Sequence, residues 1–344
     1  MQTLRCHLLS VRNMFTKLLF AVMAVPLAAI LMPTKDAAAQ EIRMYAVLSK
    51  VNVDKIVEFV NKELGTKLVA LTLSTGPMHA KIMAEAPNIE ADLVLHLQWG
   101  ALKMHQAGLT EPYLNASSWA DIDAKFKEPG GHWYNLGTYC YLLIGNKTRL
   151  EAKGYSMPQS YMDLLDPKWK GEIVMPSPLS SGTGSMIVNS IFSLTGSKDE
   201  GWKFLEKLDK NMAQYTKSGN APTLLVSRGE YMLGLTSDAQ VAQSVAQGYP
   251  ITYVVPKEGI GADGNMILIP KSAKNKIAAK RVVDFMGTAK FQQFFSDLGY
   301  LAARSGMSNP IYKTLPKFLD YDHAKAADDL DADLQVWKSK FQKQ

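Results

Sequence analysis

Residues 175–185 read Met-Pro-Ser-Pro-Leu-Ser-Ser-Gly-Thr-Gly-Ser. Small hydroxyls and glycines at this density suit the binding of an anion. The first N–H groups of a helix have no internal partner, and the helix dipole adds partial positive charge there. Glycine lets that backbone approach a ligand, and Ser or Thr hydroxyls add donors. A phosphate, phosphonate or carboxylate fits such a turn. The candidate residues are Ser180, Ser181, Gly182, Thr183 and Gly184. An ordinary Ser/Thr cap with no ligand explains the spacing equally well. No Gly-Lys-[Ser/Thr] follows, so the turn is not a Walker loop.

The elements around the turn must hold it in place. Residues 170–175 read as a short buried strand and residues 186–194 as a packed helix. Nearer the start, residues 42–48, 67–73 and 92–97 read as strands. They alternate with helical spacing at Val53, Ile56, Val57, Val60 and Leu64, with a helix over 78–85, and with one running to about 107. Strand–helix alternation predicts a mostly parallel sheet, and ligands bind such sheets at the carboxyl ends of the strands. Three loops therefore face one crevice: Ser49-Lys50, Ser74-Thr75-Gly76 and Gln98-Trp99-Gly100.

Residues 133–145, aromatic and β-branched, read as an extended strand leaving a first lobe for a second. Strands are expected near 173–175, 231–235 and 251–255, and helices near 184–194, 198–208, 221–227 and 239–247. Residues 265–270 carry the chain back, and 327–344 read as a charged surface helix. The expected fold is α/β with two lobes, a discontinuous first (41–136 and 265–344) and a second (137–264). Two crossing strands join them around a cleft that can close by hinge motion.

The first 39 residues have the layout of a cleavable secretory signal: Arg5, Arg12 and Lys17, then an apolar run, then Ala37-Ala38-Ala39. That run is shorter than the ~20 residues of a membrane-spanning helix. The segment holds half of the formal charge of +6. The remainder is weakly basic, with no cluster of Lys/Arg and aromatics, so nucleic acid is not an expected partner. Cys6 leaves with the signal and Cys140 stays alone, which excludes an internal disulfide.

The order of motifs resembles the periplasmic substrate-binding proteins of ABC importers. Within them it resembles the two-lobed (type II) subgroup that includes ferric-ion, sugar-phosphate and 2-aminoethylphosphonate binders. The resemblance covers residues 41–310. It is carried by Tyr45-Ala46-Val47-Leu48-Ser49, Thr75-Gly76, Asp92-Leu93-Val94-Leu95 and Pro256-Lys257-Glu258-Gly259. Its most specific part is Asp166-Pro167-Lys168-Trp169-Lys170-Gly171 followed by Ser181-Gly182-Thr183-Gly184. It implies a periplasmic receptor, not an enzyme, that takes a small anionic ligand and delivers it to a membrane permease, acting as a monomer without a cofactor.

The implied ligand residues are Ser49, Ser74, Thr75, Gly76 and Gln98 on one lobe. On the other they are residues 180–184 with Ser237 and Asp238. Asp238 suits an amine or sugar hydroxyls at the ligand's far end, or is simply a helix cap. Ferric-ion binders of this group carry an adjacent tyrosine pair in the loop that here reads Leu235-Thr236-Ser237-Asp238-Ala239, with no tyrosine. Tyr139 and Tyr141 lie on the crossing strand, where alternate residues more often pack.

Other side chains carry less. No two histidines have the spacing of a helical metal site, and there is no Gly-x-Ser-x-Gly elbow; a ferric-ion receptor and a carboxylate receptor stay as alternatives, with a secreted hydrolase behind them. His96 ends a strand near the crevice and is better explained by packing. Lys50 and Arg228 are candidate anion partners.

Overall fold

The computed structural model describes residues 41–114 and 116–342. The expected signal segment lies outside the described residues. Strands β1 (Glu41–Ala46), β2 (Lys67–Thr72) and β3 (Leu93–Leu97) alternate with helices α1 (Lys50–Leu64), α2 (Thr75–Glu85) and α3 (Gln98–Gln106). β1 pairs in parallel with both β2 and β3, as the alternation requires. Val53, Ile56 and Val60 of α1 are fully buried, which accounts for their 3.6-residue spacing. Gly65 ends α1 in the left-handed conformation, its N–H donating to Asn61 O at 2.9 Å.

After the short β4 (Thr110–Glu111) comes the spine of the molecule, β5 (Tyr134–Asn146), 13 residues long. Its first part pairs antiparallel with β10 (Ala262–Pro270), which also pairs with β3. Its second part pairs with β8 (Leu233–Ser237) and β9 (Ile251–Val254). β8 continues in parallel into β6 (Ile173–Pro176) and β7 (Met212–Thr216). β11 (Leu301–Ala302) pairs with β5 at Gly137 and Thr138. One strand thus belongs to both halves of the sheet, and β10 runs beside it through the junction, with Ala262 opposite Cys140.

The second half carries α4 (Lys147–Lys153), α5 (Gly182–Thr195), α6 (Lys198–Asp209), α7 (Ala221–Ser227) and α8 (Asp238–Ala246). Then follow α9 (Lys276–Gly287), α10 (Ala289–Asp297) and α11 (His323–Phe341). α5 is nearly all apolar and buried, from Met186 to Phe192. β7 has no counterpart in the sequence reading. Its residues are mostly polar and half exposed, the pattern of an edge strand with one wet face.

α11 is more than a charged surface helix. Ala327, Trp337 and Phe341 are buried. It packs on α3 in the first half, while its far end sets Trp337 edge-to-face against Tyr215 of β7 (5.0 Å between ring centres) and Phe341 against Trp202 of α6 (6.2 Å). Lys198 pairs with Asp329 and Asp333 at 3.0 and 2.6 Å. The helix therefore straddles both halves. Among the described residues, no helix is long and apolar enough to cross a membrane.

Candidate functional site

Where the two halves face each other lies a cavity of about 270 Å³. Its wall holds the residues that cap six helices: Ser49 of α1, Ser74 of α2, Leu97 of α3, Ser181 of α5, Asn220 of α7 and Ser237 of α8. Each strand of the parallel portions ends at this cavity, and each following helix starts there, so the helix dipoles point their positive ends into one space. Thr75 and Thr183, in the first turns of α2 and α5, complete the hydroxyl ring.

The hydrogen bonds of these hydroxyls set their polarity. Ser49 Oγ accepts from Asn52 N at 3.3 Å and Ser181 Oγ from Gly184 N at 3.5 Å. Thr75 Oγ1 accepts from Gly182 N at 3.3 Å, a bond between the two halves. Tyr300 Oη accepts from Asn52 Nδ2 at 3.1 Å. A hydroxyl already accepting from protein keeps its own proton to donate. The nearby carbonyl acceptors are engaged as well. Ser218 O takes the Thr216 hydroxyl at 2.9 Å and Gly219 O the Thr236 hydroxyl at 3.0 Å. The wall is rich in hydroxyl donors and holds no carboxylate among the described lining residues.

Tyr139 stands at the centre of this wall. It lies where β5 passes from one half to the other, is 4 % exposed, and its hydroxyl has no hydrogen-bond partner. Buried polar groups are nearly always paired, so an orphan facing a cavity marks a place for a ligand atom or an ordered water. Burial, reinforced by the negative charge of Asp263, pushes the phenol's pKa well above the ordinary value, with the Thr183 hydroxyl opposing this. Tyr139 is a neutral O–H. Burial pushes up the phenol of Tyr300 too. Lys50 is the one charged residue among the described lining residues, and its ammonium already pairs with Asp54 at 2.7 Å on an exposed face.

Of the residues expected from sequence, the cavity brings together Ser49, Ser74, Thr75, Ser181, Thr183 and Ser237. The remaining six stand off its wall. The Ser180 hydroxyl donates to Lys217 O at 2.7 Å. Gly76 passes close to Leu179 O and Ser180, where a Cβ would lie 3.3 Å from the carbonyl. Gly182 touches Leu97, and Gly184 lies against the backbone of Pro176 and Ser177. The Gln98 backbone N–H donates to Asp263 Oδ1 at 3.3 Å.

Asp238 is fully buried and accepts from Cys140 N (3.1 Å), the Tyr312 hydroxyl (3.1 Å) and Ala239 N (2.8 Å). Desolvation nevertheless pushes its carboxyl up to about 8. It braces the spine strand rather than facing the cavity. His96 is packed edge-on against Trp99 and His79, and desolvation with the neighbouring His79 lowers it to about 3. Gly100 makes room for it, since a Cβ there would fall 1.9 Å from His96 Nδ1.

Tyr139, Tyr300 and the loop Ser218-Gly219-Asn220 line the cavity without having been selected as ligand residues. The loop carried a usable signal, a small hydroxyl–glycine turn just before a Pro-initiated helix. Gly219 is needed there: a Cβ would sit 2.4 Å from Thr183 Oγ1. Tyr300 is brought in from far along the chain and carried no local signal.

Residues 91–327 match the family model described as bacterial extracellular solute-binding protein. An uncharacterized protein of Haemophilus influenzae is 32% identical over 281 residues, 79% of this chain and 80% of that protein. The periplasmic binding protein AfuA from Actinobacillus pleuropneumoniae, solved with exogenous fructose-6-phosphate bound, superposes with a TM-score of 0.81 at 27% identity. That match covers 89% of this chain and 100% of AfuA. The apo ferric ion-binding protein A of Pasteurella haemolytica shares the fold, with a TM-score of 0.74 at 17% identity over 89% of this chain and 99% of that one.

Proposed function

This chain belongs to the bacterial extracellular solute-binding protein family, and from that premise we propose that it is a periplasmic receptor for a small phosphorylated or phosphonate compound, which it hands to an ABC permease. The fold is the two-lobed α/β fold of periplasmic binding proteins, and its known relatives are receptors rather than enzymes. The observation that carries the ligand class is the convergence of six helix starts, four of them capped by serine, on one cavity rich in hydroxyl donors. An oxyanion offers acceptors to those O–H and N–H donors, and the aligned dipoles favour its charge. Closure of the lobes is driven by the ligand, because only the closed state adds contacts from the second lobe.

The test is a thermal-shift panel on protein lacking residues 1–39, holding phosphate, phosphonates, sugar phosphates, carboxylates and ferric iron. A ligand at 100 times its dissociation constant adds about 2.7 kcal/mol to stability, a readily visible shift. Shifts confined to phosphorus oxyanions support the reading. A shift with carboxylates alone sinks it. Replacing Ser181 and Thr183 together by Ala tests the site itself, because unchanged affinity for the responding ligand would remove it as the anion contact.

A ferric-ion receptor is the second reading. It is favoured by two phenols, Tyr139 and Tyr300, on one wall. Against it stand the lack of a carboxylate or imidazole among the described lining residues and the burial that keeps both phenols protonated. Iron-loaded protein with a phenolate charge-transfer colour, lost in Tyr139→Phe, would establish it.

A further inference from the structure

The wall of the cavity says something about the end of the ligand that is not the oxyanion. An ammonium group needs acceptors, best of all a carboxylate. Both carboxylates nearest the junction of the halves are turned away from this use. Asp238 is enclosed by Cys140 N, Ala239 N and the Tyr312 hydroxyl. Asp263 takes the amides of Gln98 and Gly264 and lies 4.0 Å from His323. Neither is among the described residues that line the cavity, where the one charged side chain is the cation Lys50. The carbonyls of Ser218 and Gly219 are occupied by threonine hydroxyls.

A group that accepts hydrogen bonds and carries no positive charge is treated differently. The buried Tyr139 hydroxyl has no partner, and the amide of Asn220 lines the same space. A ligand atom placed there receives the phenol proton and leaves nothing buried unpaired.

Resting on the receptor reading above, we infer that the ligand is an oxyanion with a neutral, hydroxyl-bearing remainder rather than an aminoalkyl zwitterion, and that Tyr139 is the ligand-positioning residue that makes this choice. A zwitterion loses twice at this site. It brings an ammonium to a wall with no carboxylate among the described lining residues, and it can meet the phenol only as a donor, so the phenol's own proton still finds no acceptor. Discrimination of this kind is steep because it depends on buried polar groups left without partners.

The experiment compares two compounds that differ only at the far end. 2-Hydroxyethylphosphonate and 2-aminoethylphosphonate have the same anion and nearly the same shape, and fructose 6-phosphate serves as a larger neutral-ended probe. Calorimetric titration of the wild type is expected to give at least roughly tenfold tighter binding of the hydroxy compound, the scale of one hydrogen bond to a charged or buried partner. Tyr139→Phe is expected to shrink that ratio and to weaken fructose 6-phosphate by about the same factor, while the unfolding midpoint without ligand moves little.

Equal or tighter binding of the amino compound by the wild type overturns the inference and leaves the phosphorus-oxyanion reading in place. An unchanged ratio and unchanged affinities in Tyr139→Phe overturn the role of Tyr139. If none of the three compounds nor inorganic phosphate binds, the receptor reading for this ligand class fails and the inference falls with it.

Discussion

The backbone N–H of Gly182 donates to the hydroxyl of Thr75 at 3.3 Å, joining two helix starts that are 107 residues apart in the chain. A Cβ on Gly182 would lie 2.0 Å from Leu97 Cδ1. The two halves thus touch at a point where only glycine fits, beside the cavity.

Gly182→Ala is therefore expected to hinder closure and not folding. Affinity for the ligand should fall roughly tenfold or more, equivalent to about 1.4 kcal/mol, with the unliganded unfolding midpoint nearly unchanged. Titration calorimetry and thermal unfolding on the same sample check this. A large loss of unliganded stability would place the contact in the folding core instead of the closure surface.

Asp238 predicts a pH dependence with a definite sign. Its folded-state pKa, pushed up to about 8 by burial, lies far above the ordinary carboxylate value of about 3.9. The folded protein binds this proton more tightly than the unfolded chain, so the group's contribution to stability falls as pH rises from about 4 to about 8. Asp238→Asn, which imitates the protonated form, should gain relative to the wild type across that window and be relatively most favoured near pH 8. Urea unfolding of both proteins at pH 5 and pH 8 measures the difference. A gap that narrows with rising pH contradicts the assignment.

His96 works in the opposite direction. Burial lowers it to about 3, so the unfolded chain takes up the proton first as pH falls below about 6.5. Its contribution is fully present above that value and is lost in acid. His96→Gln should show a shallower loss of stability between pH 6.5 and 4.5 than the wild type, whatever its absolute stability. Parallel slopes would mean that His96 is already charged or hydrated in the fold.

Trp337 anchors α11 against Tyr215 of β7, packs on Phe341 of its own helix, and is 2 % exposed. Trp337→Ala should cost about 3–5 kcal/mol, the range for large aromatics removed from a core. Denaturant midpoints report it. A cost under about 1 kcal/mol, the level of surface changes, would mean that the helix only rests on the surface.

Much of this arrangement was legible along the chain because it depends on local rules. Ser49, Ser74, Ser181 and Ser237 stand just before apolar helical spacing, and each is the cap of a helix. The alternation of β1, α1, β2, α2, β3 and α3 followed from period and turn chemistry. β7 was not legible, because an edge strand with a wet face has no apolar period. Tyr139 and Tyr141 show the limit most clearly. They share one face of β5, yet Tyr141 bonds to the Tyr161 hydroxyl inside the core while Tyr139 is left unpaired at the cavity. Which of two identical side chains finds a partner is decided by where tertiary packing places Tyr161. Asp238 illustrates the same point in reverse: a polar residue at a helix start reads as a ligand group until the burial of its neighbours is known.

The straddling position of α11 has a consequence for the order of events during synthesis. β3 finds its antiparallel partner β10 only after about 170 further residues have been made, since Leu97 pairs with Asn265. The ring contacts of Trp337 and Phe341 with Tyr215 and Trp202 can form only when residue 341 has emerged. Contacts of such long range fold slowly, because the chain between them must be ordered first. A polypeptide whose two halves are both finished by its final segments remains threadable until nearly all of it has been translated. That property is in keeping with a family of extracellular proteins.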